Sequence, residues 1–232
     1  MEQTNDRPST PPGILFDIDG TLVDSNYLHT LAWWRGLKET GRTAPMFQIH
    51  RLIGMGSDKL VPELLGDYVE EVSERYSANF RELRKEVIAF DSAAELLREV
   101  HGRGAVVVLA TSAKTEDLEV LLEVLDAEDA IDHVTSSADV EETKPAPEVL
   151  EKALEKSGLA RDSAIVVGDT VWDVKAAARL GLGCVCVEAG GTSRHDLEEA
   201  GAVAVFKDVQ ELLQKLDESP LAKFLPDEAG QG

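Results

Sequence analysis

Apolar residues come along this chain in two rhythms. Short continuous runs at 14–16, 105–110, 164–168, 183–187 and 202–206 have the make-up of strands buried on both faces. A shorter strand is predicted at 133–135. Between the runs, apolar positions recur three and four apart, as on one face of a helix. Leu118, Leu121, Leu122 and Leu125 make such a face. So do Ala93, Leu96, Leu97 and Val100, behind the capping-box pattern Ser92-x-x-Glu95. Pro147 opens a predicted helix through Leu150, Ala153 and Leu154 that Gly158 closes. Further helices are expected at 174–180, at 194–200, and after Asp208-x-x-Glu211. Strand-like runs alternating with helices predict βαβ units, hence an α/β fold with a mainly parallel, doubly wound sheet and right-handed crossovers.

One long interval breaks the alternation. Leu28, Leu31 and Ala32, with Trp33 and Trp34 beside them, predict a helix over 26–39. Residues 43–86 contain no convincing strand. Val69, Val72, Tyr76, Phe80, Leu83 and Val87 keep helical spacing across a charged stretch. Residues 25–87 therefore read as an all-helical insertion. The core should comprise 13–24 and 88–218. Residues 1–12 and 219–232 are polar or proline-containing and are expected to be flexible.

In a parallel sheet of this kind, chemistry gathers where strands end at their carboxyl side. The first run ends in Asp17-Ile-Asp19-Gly20-Thr21. Taken alone this could be an acidic turn. The run at 105–110 ends in Thr111 and Ser112, with Lys114 close behind. Lys144 follows the strand at 133–135, and the run at 164–168 leads into Asp169, with Asp173 four residues on. Carboxylates, hydroxyls and a lysine are thus brought to one sheet edge. Such a set suits a hard cation such as Mg2+, held by a few carboxylates, and transfer of a phosphoryl group. Asp17 would be the nucleophile. Asp19 would pass protons to and from the reacting oxygens. Thr111 and Lys144 would bind and neutralise the phosphoryl oxygens. Ser112 and Lys114 are further candidates for substrate contact.

Composition narrows the partners. The 232 residues carry 44 acidic and 23 basic side chains, a formal charge of −21. That balance disfavours nucleic acid and anionic membrane, and a phosphorylated substrate then needs a local cation. No apolar run approaches the length of a membrane span, and the first twelve residues lack a signal-peptide core. Cys184 and Cys186 lie two apart in an apolar run and read as core residues rather than a disulfide framework. A monomer in a reducing, cytoplasmic setting is the expectation.

The ordered motifs Asp17-Ile-Asp19-Gly-Thr21, Thr111, Lys144 and Gly168-Asp169 with Asp173 resemble the haloacid dehalogenase superfamily over roughly residues 13–187. The resemblance implies a Rossmann-like core, a C1-type cap formed by the helical insertion, a Mg2+ cofactor and a phosphoaspartate on Asp17. It implies metal contacts from Asp17, Asp169, the backbone carbonyl of Asp19 and, assisting, Asp173. Asp19 itself separates the chain from the dehalogenases and phosphonate-cleaving members. Asn26 to His29 with Trp33 is similar to the start of the cap in β-phosphoglucomutase and in many sugar-phosphate and phosphoglycolate phosphatases. His29 and Trp33 are accordingly candidate substrate contacts, although the same residues suit helix packing at the cap hinge. Ser57 and Asp58 stand where the mutase has an arginine. Arg51 and Lys59 flank the Gly54–Gly56 loop and would meet either a substrate's far end or solvent. The leading expectation is a Mg2+-dependent phosphatase of a small phosphorylated metabolite. Alternatives are a phosphomutase with the same phosphoaspartate and a non-catalytic phosphoaspartate switch of the receiver type.

Overall fold

The computed structural model of the chain describes residues 11–139 and 142–226. Six parallel strands form one sheet: β1 (Gly13–Phe16), β4 (Val106–Ala110), β5 (His133–Thr135), β6 (Ala164–Gly168), β7 (Cys184–Val187) and β8 (Ala204–Phe206), in the order β5-β4-β1-β6-β7-β8. The chain starts at the centre, builds one side, then crosses over β1 to build the other. That reversal of strand order is the doubly wound pattern, and the crevice it leaves lies beyond the end of β1.

Alternate residues of each strand face opposite layers, as strand geometry requires. Ile14 and Phe16, with Val107, Leu109, Val167 and Val185, join one buried cluster. Leu15, Val108, Val166, Cys184 and Cys186 join the other. The two thiols share a face, their sulfurs 3.7 Å apart. Helices α5 (Ala93–Gly102), α6 (Thr115–Leu125) and α10 (Val209–Gln214) cover the first face, and α7 (Glu148–Ser157), α8 (Val171–Arg179) and α9 (Arg194–Ala200) the second.

The insertion is helical, with α1 (Asn26–Glu39), α2 (Met46–His50), α3 (Ser57–Leu65) and α4 (Glu70–Leu83). It has its own small core of Trp33, Leu37, Ile49, Leu60 and Val72. Its two connections to the sheet pair with each other: β2 (Val23–Asp24) and β3 (Ile88–Ala89) form a two-stranded antiparallel ribbon. No apolar rhythm over so few residues signals this ribbon.

Two local expectations change. Ser92 precedes α5 with φ of 69° and makes no side-chain cap, because a left-handed backbone does not aim its hydroxyl at the helix. Residues 219–225 are not a loose tail. Pro220–Phe224 form a 3-10 turn, Ser219 accepts from the amide of Leu221, and Leu221 and Leu225 are buried in the first cluster. The proline signal for a chain break is outweighed by two apolar anchors. The remaining expected flexibility, at 1–10 and 227–232, lies outside the described residues.

Candidate active site

Strand register sets the site. Phe16 pairs with Leu109 on one side and Val167 on the other. Asp17, Thr111 and Asp169 therefore leave the sheet within a residue of the same level. The Asp17 amide still donates to the Val167 carbonyl at 2.9 Å, so the first carboxylate projects from strand-like backbone.

Lys144 is buried between acids. Its ammonium donates to Asp17 Oδ1 and lies 2.7 Å from Asp173 Oδ1. Asp173 is fixed by the start of α8. Its Oδ2 accepts from the Thr170 amide at 3.1 Å and from the Thr170 hydroxyl at 2.5 Å, while that hydroxyl accepts from the Asp173 amide. A capping box thus holds one oxygen of Asp173 and leaves the other to Lys144. Thr21 Oγ1 reaches Asp169 Oδ1 at 3.2 Å and Asp17 Oδ2 at 3.5 Å.

Carboxylate oxygens of Asp17, Asp169 and Asp173, all buried, lie within 4.8 Å of one another. Burial raises the Asp17 carboxyl, and the neighbouring Asp173 and Asp19 add to this against Lys144, to about 7. Burial, then Asp173 and Asp17, pushes Asp169 well above the usual carboxylate range. Burial opposes the charge on Lys144, yet Asp17 and Asp173 outweigh it and raise its ammonium above the ordinary value. Three buried carboxylates against one lysine leave an excess of negative charge. An all-oxygen donor set with that excess fits a hard divalent cation.

Asp19 stands apart from this trio. Its Oδ1 accepts from the Ser25 hydroxyl at 2.6 Å and lies 3.0 Å from His29 Nε2. Burial alone would raise Asp19; His29 and Ser25 outweigh it and hold the carboxyl below its ordinary range. The other nitrogen of His29 meets the Tyr76 hydroxyl at 2.9 Å. The imidazole stacks on Phe80 with ring centres 3.9 Å apart, and Tyr76 stacks on Trp33 at 3.8 Å. Asp19 is therefore wired to the cap through α1 and α4.

Cap and core line a partly open cavity of about 160 Å³ above these groups. Asp17, Asp19, His29, Trp33, Ser112, Lys114 and Lys144 line it. Lys114 donates to Ser77 of α4 at 2.9 Å. The buried hydroxyls of Ser112 and, on the cap wall, Ser73 have no partner among the described residues.

The predicted residues do not all stand on the cavity wall. Thr111 is buried at the end of β4, where its hydroxyl accepts from the Ala113 amide at 3.0 Å and shapes the loop that presents Ser112. Arg51 faces away from the cavity, over the Phe47 ring, in a separate groove beside Trp172. The end of a short helix turns it outward, which spacing around a glycine loop does not reveal. Lys59 likewise lies outside the cavity, 3.7 Å from Asp58 and 3.5 Å from Glu142.

Sequence reasoning meets Asn26, the first residue of α1, only as the start of the cap and gives it no role. It is buried, and its amide donates to Asp169 Oδ2 at 2.7 Å and to the Gly190 carbonyl at 3.0 Å. Only its place one residue into the predicted helix, beside an acidic strand end, could have drawn notice.

The model of the haloacid dehalogenase-like hydrolase family matches residues 14–187. The chain belongs to this family. It is 29% identical to a phosphoglycolate phosphatase of Rhodospirillum rubrum, over 87% of this chain and 89% of that one. A pyrophosphatase PpaX of Bacillus cereus is 28% identical, over 69% and 76%. The crystal structure of a hydrolase from Pseudomonas syringae superposes with a TM-score of 0.84 at 32% identity, covering 89% of this chain and 98% of that one. In this family setting, the expected Rossmann-like core with its helical insertion stands as described. Among the described residues, no helix is long and apolar enough to cross a membrane.

Proposed function

We propose that this chain is a Mg2+-dependent phosphatase that hydrolyses a small phosphomonoester through an aspartyl phosphate on Asp17. The observation that carries the reading is the pairing of Asp17, one of a buried acidic trio, with Lys144 at the floor of a small cavity between core and cap. Asp17, Asp169 and Asp173 would hold the cation, which when bound offsets the charge of the incoming phosphate. Lys144 keeps Asp17 charge-compensated and faces the phosphoryl group. A carboxylate oxygen of Asp17 attacks phosphorus as the ester P–O bond breaks, and Asp19, which takes up a proton when the negative charge of the bound phosphate offsets the pull of His29 and Ser25, passes that proton to the leaving oxygen. Asp19 then takes a proton from the water that attacks the phosphoaspartate, which frees Asp17 and inorganic phosphate. His29 and Ser25 hold Asp19 at the cap boundary for both transfers.

Size favours a short substrate. Roughly 150 Å³ of cavity accommodates a molecule the size of benzene, so about 160 Å³ suits a phosphate on a body of two or three carbons, or a second phosphate. The names of the two relatives, a phosphoglycolate phosphatase and a pyrophosphatase, agree with that limit.

The test is a panel of small phosphoesters, phosphoglycolate and pyrophosphate included, assayed for phosphate release with Mg2+ and with EDTA. Release from the short esters is expected, lost with EDTA and abolished by Asp17→Asn. Near-normal hydrolysis by Asp17→Asn would overturn the mechanism, and full activity in EDTA would overturn the cofactor.

A further inference from the structure

The Asn26 side chain occupies a space prepared for it by three distant parts of the chain. A Cβ built on Gly190, after β7, would stand 1.7 Å from Asp169 Oδ2 and 2.7 Å from Asn26 Nδ2. One built on Gly20, whose φ is +75°, would stand 2.2 Å from Asn26 Nδ2 and 2.4 Å from Asp169 Oδ2. Any side chain at either position would therefore push the amide and the carboxylate apart. Within that space, one NH2 group serves two acceptors, Asp169 Oδ2 and the Gly190 carbonyl. The flipped amide would turn Oδ1 toward both, so the network fixes its orientation. Oδ1 is then a buried acceptor with no partner among the described residues. A buried acceptor without a donor, beside an acidic trio, suits a water carried in by a hydrated cation.

We infer that Asn26 is a positioning residue for the metal site: it fixes the orientation of Asp169 from the first turn of the cap and so sets the affinity for a divalent cation. The inference rests on the metal reading above. Asn26 begins α1 whereas Asp169 directly follows β6, so the bond also ties the hinge of the cap to a proposed metal ligand in the core. Outer-shell partners of metal ligands typically contribute roughly 10- to 100-fold in affinity.

Mn2+ alone, followed by electron paramagnetic resonance without substrate, tests this. Asn26→Leu keeps the branched outline of the side chain and removes both donors; Asn26→Ser is the smaller change and carries the test if the first variant does not fold. Both are expected to weaken Mn2+ binding by about ten-fold or more, with far-UV circular dichroism and the melting curve in EDTA close to wild type. Gly190→Ala should weaken binding as well, through displacement of Asp169. Wild-type affinity in the folded Asn26 variants would overturn the inference, whatever Gly190→Ala does. No Mn2+ binding by the wild type would remove the site and the inference together. Intact, Asn26-dependent Mn2+ binding in a protein that hydrolyses no phosphoester would sink the phosphatase reading and leave this one standing.

Discussion

Lys144 is the side chain whose removal should be felt most. It is a buried cation between Asp17 and Asp173, and it leaves two carboxylates uncompensated when deleted. Breaking a buried ion pair from one side costs about 3–5 kcal/mol. Lys144→Met is expected to lose stability on that scale at pH 8 in EDTA, measured by urea unfolding. The loss should shrink at pH 5, where Asp17, raised to about 7, is already neutral in the folded protein. An equal loss at both pH values would contradict the coupling. The same residue shows what a sequence can disclose. Lysine and aspartate types at strand ends reveal which groups meet, because the parallel sheet brings strand ends together. They do not reveal Asn26, whose partners lie 143 and 164 residues away and depend on two glycines leaving room. Nor do they reveal that Arg51 turns outward, since the end of a short helix decides that.

Among the elements, the sheet was legible because its strands are continuous apolar runs, and the cap helices because Val72, Tyr76 and Phe80 keep their spacing. The C-terminal segment was not. Pro220 and Pro226 punctuate it, and only the sheet's outer face explains why Leu221 and Leu225 pack there. Leu221 is fully buried, so Leu221→Ala is expected to cost about 2–5 kcal/mol, seen as a lower urea midpoint with an unchanged slope. A change below about 0.5 kcal/mol, the scale of surface substitutions, would show that the segment does not pack there in solution. In the cap, α1 and α4 meet through Trp33, Tyr76, His29 and Phe80, and His29 joins both helices to Asp19.

For the molecule as a whole, the acidic trio ties stability to both pH and cation. Asp17 has its carboxyl raised from 3.8 to about 7. Its contribution to stability is fully present below the unfolded value and is lost as pH rises through 7. The metal-free protein should therefore lose part of its stability between pH 5 and pH 8 on this account. Mg2+ binds the ionised carboxylates and not the protonated ones, so its stabilisation should be larger at pH 8 than at pH 5.5. Melting curves in Mg2+ and in EDTA at the two pH values measure this. A Mg2+ shift that is the same at both, or larger at the lower pH, would count against Asp17 as a ligand.

The ribbon of β2 and β3 has a wider consequence. The chain leaves the sheet at Val23–Asp24 and returns at Ile88–Ala89, side by side, so the intervening sixty-odd residues hang from a single doorway. Whatever is spliced in there, longer, shorter or of another architecture, leaves the strand order undisturbed, and it leaves the acidic strand ends undisturbed as long as Ser25, Asn26 and His29 keep their bonds to Asp19 and Asp169. On the proposed mechanism the selectivity can drift while the chemistry stays put, and a chimaera that keeps residues 25–29 and exchanges the rest of the stretch before Ile88 should inherit the donor's substrate preference.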